Sequence, residues 1–211
     1  LCLEPGVGDG SPPAWAPGVL AFVSSAEGNG NLSSWPEAEG STGLEAGDRI
    51  CQNLAAAADL LAPVSFVAWL GANPVDASDR LTTDGPFRRV DGIPIAFSFD
   101  DLRDGIAANS LHVDERGDYL ITPGKSWTGA SALGLWVPES CAGWTSASPG
   151  LLGQEGWGNR ARTGSWTEAF DVPCDLEKRL YCFSNVVTLF WDGFELTGDA
   201  LQLADDDLTL I

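Results

Sequence analysis

Chemistry in this chain has to come from five cysteines, one imidazole, thirty carboxylates and nine tryptophans. The cysteines are Cys2, Cys51, Cys141, Cys174 and Cys182. No Cys-x-x-Cys pair occurs and His112 is the only histidine, so the nitrogen and sulfur ligands of a zinc or haem site are not assembled. Cys51, Cys141, Cys174 and Cys182 read as two disulfides, which form in an oxidising compartment. Spacing alone leaves their connectivity open. Cys2 is the odd cysteine, set before a Pro/Gly-rich stretch. It reads as an attachment point, with lipidation, a bridge to another chain and a free thiol as the alternatives.

A Ser/His/Asp triad would have to use His112, and no Gly-x-Ser-x-Gly elbow accompanies it. His112 therefore reads as an ordinary surface or strand-edge residue. A cysteine nucleophile would need the same imidazole. Asp100 with Asp101, and Asp114 with Glu115, are the pairs from which a glycosidase would be built if they faced each other across a cleft. In a chain this acidic they read as chance neighbours. Calcium takes several oxygen ligands, often from one irregular loop. Asp114, Glu115 and Asp118, turned by Gly117, form one such group, and Asp205, Asp206 and Asp207 another. Neither has EF-hand spacing, and each reads first as a solvated face. Between Cys141 and Cys174 lie Trp144, Trp157 and Trp166, with Asn159, Arg160 and Arg162. Exposed tryptophans stack on sugars or anchor protein partners, whereas buried ones fill a core. Trp144, Trp157, Asn159 and Trp166 are the candidate ligand face.

The elements that must hold these groups are mostly short. Residues 1–17 are rich in proline and glycine and read as an extended leader. Val19 to Ser24 is an apolar run that reads as a buried strand. A polar loop from Glu27 to Gly40 contains Asn31-Leu32-Ser33, formally a glycosylation sequon. Thr42 and Glu45 then fit a capping box. Ile50, Cys51, Leu54, Ala55, Ala58 and Leu61 follow at helical spacing, with Pro63 as the stop. This places Cys51 on the apolar face. Beyond the helix, short apolar runs alternate with turns: Phe66 to Leu70, Ser126 to Thr128, Leu135 to Val137, Ser165 to Thr167 and Leu180 to Phe183. Asp91-Gly92 marks one hairpin, and Asp192-Gly193, between Val186–Trp191 and Phe194–Leu196, marks a second. One helix followed by many short strands predicts an α+β fold.

Composition narrows the partners. The chain has 211 residues and is 44% hydrophobic, which suits one large domain, or a domain of about 150–170 residues with flanking segments. The formal net charge is −19, from 30 acidic and 11 basic residues. Phosphate recognition needs clustered Lys and Arg, so nucleic acid and anionic membranes are not expected partners. No apolar run reaches the ~18 residues of a membrane span. No methionine is present and the sequence opens Leu1-Cys2, which reads as a processed product.

Several segments together resemble a known group. They are Phe22-Val23-Ser24-Ser25 with Gly30-Asn31-Leu32, Asp48-Arg49-Ile50-Cys51, Ala68-Trp69-Leu70, Ala77-Ser78-Asp79-Arg80-Leu81 and Val113-Asp114-Glu115. Further on come Trp127-Thr128-Gly129, Cys141-Ala142-Gly143-Trp144-Thr145-Ser146, Trp166-Thr167 and Arg179-Leu180-Tyr181-Cys182-Phe183. In order and spacing this resembles bacterial secreted domains of the endostatin-like, C-type-lectin-like group, over about Val19 to Phe183. The resemblance implies an endostatin-like variant of the C-type-lectin fold, stapled by Cys51–Cys182 and Cys141–Cys174. It divides the chain into a leader (1–17), a domain (18–183) and a strand-rich tail (184–211). The calcium-binding triplets of sugar-binding C-type lectins, the His-rich zinc terminus of endostatin and its Arg-rich heparin face are absent from the sequence. The resemblance carries no catalytic signature.

These readings converge on a secreted or cell-surface recognition or adhesion module that is not an enzyme. Its expected partner is a glycan or protein ligand, and no cofactor is expected beyond calcium at Asp114, Glu115 and Asp118. The alternatives are a self-assembling structural subunit, whose partner is another copy through the Val186–Trp191 strand, and a polysaccharide hydrolase.

Overall fold

The computed structural model describes residues 17–188. Cys2 and its leader, Asp205, Asp206 and Asp207, and the hairpin at Asp192-Gly193 lie outside the described residues. What is described is a mixed helix-and-sheet fold with one sheet of eight strands, few helices and two disulfides.

The apolar run near the start forms β1 (Gly18–Val23), in which every residue is buried. Burial on both faces explains why it lacks alternation. The amphipathic segment forms α1 (Gly43–Ala57) and buries Ala46, Gly47, Ile50, Cys51, Leu54 and Ala55. Thr42 occupies the N-cap, but its side chain makes no capping bond, so the expected capping box is not formed. The helix also stops before Leu61. Asp59 adopts a left-handed conformation and the Leu60 N–H turns back to the Ala55 carbonyl, a C-terminal closure that leaves Leu61 59% exposed.

The strands β2 (Phe66–Ala68), β3 (Phe87–Arg89), β4 (Pro94–Ala96), β5 (Lys125–Trp127), β6 (Leu152–Trp157), β7 (Phe170–Pro173) and β8 (Arg179–Thr188) complete the sheet. Its order is β4-β3-β1-β8-β5-β6-β7, with β2 also on β8. β8 is the hub. One edge runs antiparallel to β1. The other is shared by β5, parallel at Arg179–Leu180, and by β2, antiparallel at Cys182–Ser184. The expected domain boundary after Phe183 falls inside this strand, because Val187 and Thr188 still pair with Val19 and Gly18. The run Ser165–Thr167 is not a strand. Its amides bond locally, Trp166 to Thr163 and Thr167 to Gly164, in a 3-10 turn. Leu135–Val137 contributes an isolated bridge at Trp136.

The first disulfide joins Cys51 on α1 to Cys182 on β8. A second tie runs beside it: Asp48 accepts from the Ala68 amide at 2.9 Å and from Arg80 at 2.5 Å, and Arg80 also donates to the Ala68 carbonyl. Burial pushes the Asp48 carboxyl above its ordinary value, and Arg80 only partly offsets that. The core beneath is aromatic, with Trp69 against Trp166 at 5.2 Å and against Phe183 at 5.8 Å.

The Asp91-Gly92 turn joins β3 to β4, and a buried guanidinium locks it. Arg89 pairs with both carboxylate oxygens of Asp91 and donates to the Tyr119 hydroxyl and the Ser110 carbonyl. Burial alone would raise the Asp91 carboxyl. The hydrogen bonds and charge of Arg89, with the Ile93 N–H, outweigh it and hold the carboxyl below its ordinary value. Such a carboxyl favours folding when ionised. Its contribution is complete above the unfolded pKa of about 3.9 and is lost as pH falls through the lower folded value. Asp91→Asn should therefore lower Tm at pH 7, and its Tm deficit against the parent should shrink as pH drops from about 4 toward 2. Taking the difference cancels the opposite trends expected of Asp48 and Asp171, whose carboxyls are raised. A deficit that stays constant with pH would refute the assignment.

Candidate ligand-binding face

Successive side chains of a strand point to opposite faces. In β5 and β6 the register sets Lys125 opposite Trp157 and Trp127 opposite Glu155, and in β7 it sets Phe170 opposite Glu155. Lys125, Trp127, Glu155, Trp157 and Phe170 thus share one face, with Trp127 buried at its inner end, while Ser126, Gln154, Gly156 and Asp171 share the other. The pairing is visible in the contacts. The rings of Trp157 and Phe170 are 5.4 Å apart. The Lys125 ammonium lies over the Trp157 ring at 5.2 Å, and the Arg160 guanidinium, from the turn after β6, lies at the same distance.

Glu155 is the anchor of this face. It is 1% exposed. Its Oε1 accepts from Trp157 Nε1 at 2.7 Å, and its Oε2 lies 2.7 Å from the Lys178 ammonium, with Lys125 further away at 3.9 Å. Lys178 is itself buried, held beside Gly28 by paired backbone bonds. Lys125 and Lys178 are the only lysines in the chain, and both converge on this one carboxylate. Phe170 is 56% exposed, and Trp157 is half-buried. On the opposite face Ser126, Gln154 and Gly156 are buried, whereas Asp171, on the edge strand β7, is exposed. At Gly156 any side chain would collide with the Trp166 carbonyl. Tyr181 is wholly buried, which pushes its phenol far above the ordinary value and keeps it neutral.

Of the tryptophans named as ligand candidates, Trp157 reaches the surface and Trp144 and Trp166 do not. Trp144 is 0% exposed, donates to the Gly71 carbonyl and packs on Trp127 at 5.9 Å. Trp166 is 0% exposed between Trp69 and Tyr181. A sheet served by one long helix must fill its interior with large rings, and these two do so. Asn159 is exposed in the turn beside Arg160, its N–H bonded to the Pro123 carbonyl. The second disulfide, Cys141–Cys174, closes the segment that carries this face. Cys141 heads a turn in which Cys141, Ala142, Gly143 and Trp144 all have positive φ.

The acidic pairs are engaged elsewhere. Asp114 Oδ1 accepts the Arg116 and Asp118 amides. Glu115, 1% exposed, accepts the Ser25 amide at 2.9 Å and its hydroxyl at 2.5 Å, and pairs with Arg116. Among the described residues, no three His, Cys, Asp or Glu side chains gather as a cation site. Asp101 accepts the Phe97 amide ahead of the short helix α2 (Phe99–Arg103), and Asp100 is exposed. A His112 ring nitrogen meets the Thr122 carbonyl.

Lys125, Glu155, Phe170 and Lys178 were not picked out by sequence reasoning. The available signal was the rarity of lysine: two in 211 residues, Lys125 and Lys178. No family model matches the chain, and no curated protein is significantly similar to it.

Proposed function

We propose that the protein is a noncatalytic extracellular recognition module on an endostatin-like variant of the C-type-lectin fold, and that Lys125, Trp157, Arg160 and Phe170 form its binding face. One observation carries the reading: an exposed aromatic surface flanked by cations, with Trp157 hydrogen-bonded to a buried carboxylate. Interface hot spots combine these residue types, aromatic and basic, on preorganised supports. Two disulfides fit a chain that folds in an oxidising compartment. Among the described residues, no helix is long and apolar enough to cross a membrane.

The test is a glycan array and a cell-surface pull-down with oxidised protein, with and without calcium, comparing the parent with Phe170→Ala and Trp157→Ala. Removing a central aromatic should weaken binding by about 2 kcal/mol or more, roughly thirtyfold. Capture of nothing, or capture indifferent to both substitutions, would overturn the reading.

Self-assembly is the second reading, favoured by Val186 and Val187, which are 37% and 47% exposed at the end of β8. A monomer at every concentration in size-exclusion chromatography would remove it.

A further inference from the structure

We infer that the ligand of the Trp157–Phe170 face is an acidic saccharide, one whose pyranose rings bear carboxylates. This rests on the recognition reading and names the ligand class of that same face.

The first argument is occupancy. Lys125 and Arg160 already lie over the Trp157 ring, each at 5.2 Å. A neutral sugar stacking on that ring has to displace a cation and lose its cation–π contact. A carboxylate has nothing to displace. It pairs with the outward side of the same cations and leaves them on the ring, where the aromatic face helps to hold them in place. Phe170, beside Trp157 and more than half exposed, remains free to take the apolar face of the adjoining sugar ring.

The second argument is charge. The chain as a whole carries −19, yet this spot joins three bases, Lys125, Arg160 and Lys178, to one carboxylate, Glu155. The strand period keeps nearby acids away from it. Asp171 follows Phe170 but points to the opposite face, where Glu139 and Glu168 share its surroundings and, after burial, add to the rise of its carboxyl pKa. At physiological ionic strength charges further than about 8 Å are largely screened, so a bound carboxylate senses the local bases more than the distant acids.

A third consideration separates saccharide from acidic peptide. Both would pair with Lys125 and Arg160, but a uronate carries its carboxylate on a ring whose apolar face can stack on exposed Phe170, whereas Asp and Glu side chains carry no ring.

The experiment is titration calorimetry with four probes: a short oligouronate, its methyl ester, the neutral oligosaccharide of the same linkage, and polyglutamate. The oligouronate should bind, the ester and the neutral sugar at least about tenfold more weakly, which corresponds to losing one charge-assisted hydrogen bond. Lys125→Gln/Arg160→Gln should abolish that preference with Tm unchanged, since both side chains are substantially exposed. Added salt should weaken the acid and not the ester. An ester that binds as tightly as the acid, with binding still lost in Phe170→Ala, would overturn the inference and leave the recognition face standing. Polyglutamate bound in place of the oligouronate would identify an acidic peptide and overturn it likewise. No binding to any of the four, together with a blank surface pull-down, would overturn both.

Discussion

Replacing Cys51 and Cys182 by alanine should be the most damaging double change in the fold, costing about 2–5 kcal/mol in urea unfolding. The bridge spans 131 residues of sequence, for which chain entropy alone gives about 5 kcal/mol. Both sulfurs are fully buried where α1 meets β8. Its loss would free the helix from the strand on which β1, β2 and β5 all assemble. The Asp48–Arg80 pair on the Ala68 amide, and Gln52 Nε2 donating to the Phe66 carbonyl at 3.2 Å, would then still tie α1 to β2. The Cys141–Cys174 bridge spans 33 residues, worth about 3.7 kcal/mol by the same reckoning. Its removal should cost less than that. It releases a run of left-handed residues, and each non-glycine in that conformation costs about 1–2 kcal/mol, so part of the loss is returned. The expected result is a larger fall in the urea midpoint for the first pair than for the second. The reverse order, or a non-reducing peptide map that links Cys51 to Cys141, would contradict this account.

The second large effect concerns Glu155. Glu155→Gln keeps the acceptor for Trp157 Nε1 but leaves the Lys178 ammonium, which is 8% exposed, without its counter-charge. Breaking a buried pair from one side costs about 3–5 kcal/mol, whereas replacing both partners by neutral residues is often nearly neutral. Glu155→Gln should therefore destabilise strongly, and Glu155→Gln/Lys178→Met should recover most of the loss. The double-mutant cycle isolates the coupling. A single substitution that costs under about 1 kcal/mol would mean that Lys178 finds another acceptor, and Glu155 would lose its standing as the anchor of the face. The single variant should also bind ligand more weakly than the double, because an unpaired buried ammonium disturbs the support beneath Trp157. That ordering separates a positioning role from a direct contact.

The two effects differ in how much of them the residues announce. Local chemistry determined β1, whose unbroken apolar run permits only burial, and α1, whose apolar positions recur at 3.6-residue spacing. It determined the β3–β4 turn as well, since Asp-Gly favours a tight reversal. It did not determine the end of α1, where alanines continue the helical pattern and the stop comes from a backbone reversal at Asp59. β6 and β7 carry little period-2 signal, because Gly153 and Gly156 interrupt one and Pro173 ends the other; their pairing with each other and with β5 makes them strands. Cysteine spacing left the disulfide partners open. The resemblance supplied a pairing, and the contact of α1 with β8 brings Cys51 within reach of Cys182. Trp144, Trp157 and Trp166 are the same residue type in one segment, and nothing local distinguishes them. Burial is a property of what lies across the fold: Trp127 covers Trp144 and Trp69 covers Trp166, while Trp157 has Phe170, Glu155 and two partly exposed cations beside it. The convergence of Lys125 and Lys178 on Glu155 was likewise decided by tertiary structure, because strand register and the Gly28–Lys178 bridge place residues far apart in sequence within reach of one carboxylate. Sequence determines how a segment pairs with itself through periodicity and turn chemistry, whereas contacts between segments depend on which elements pack together, and that choice is made by the whole chain at once.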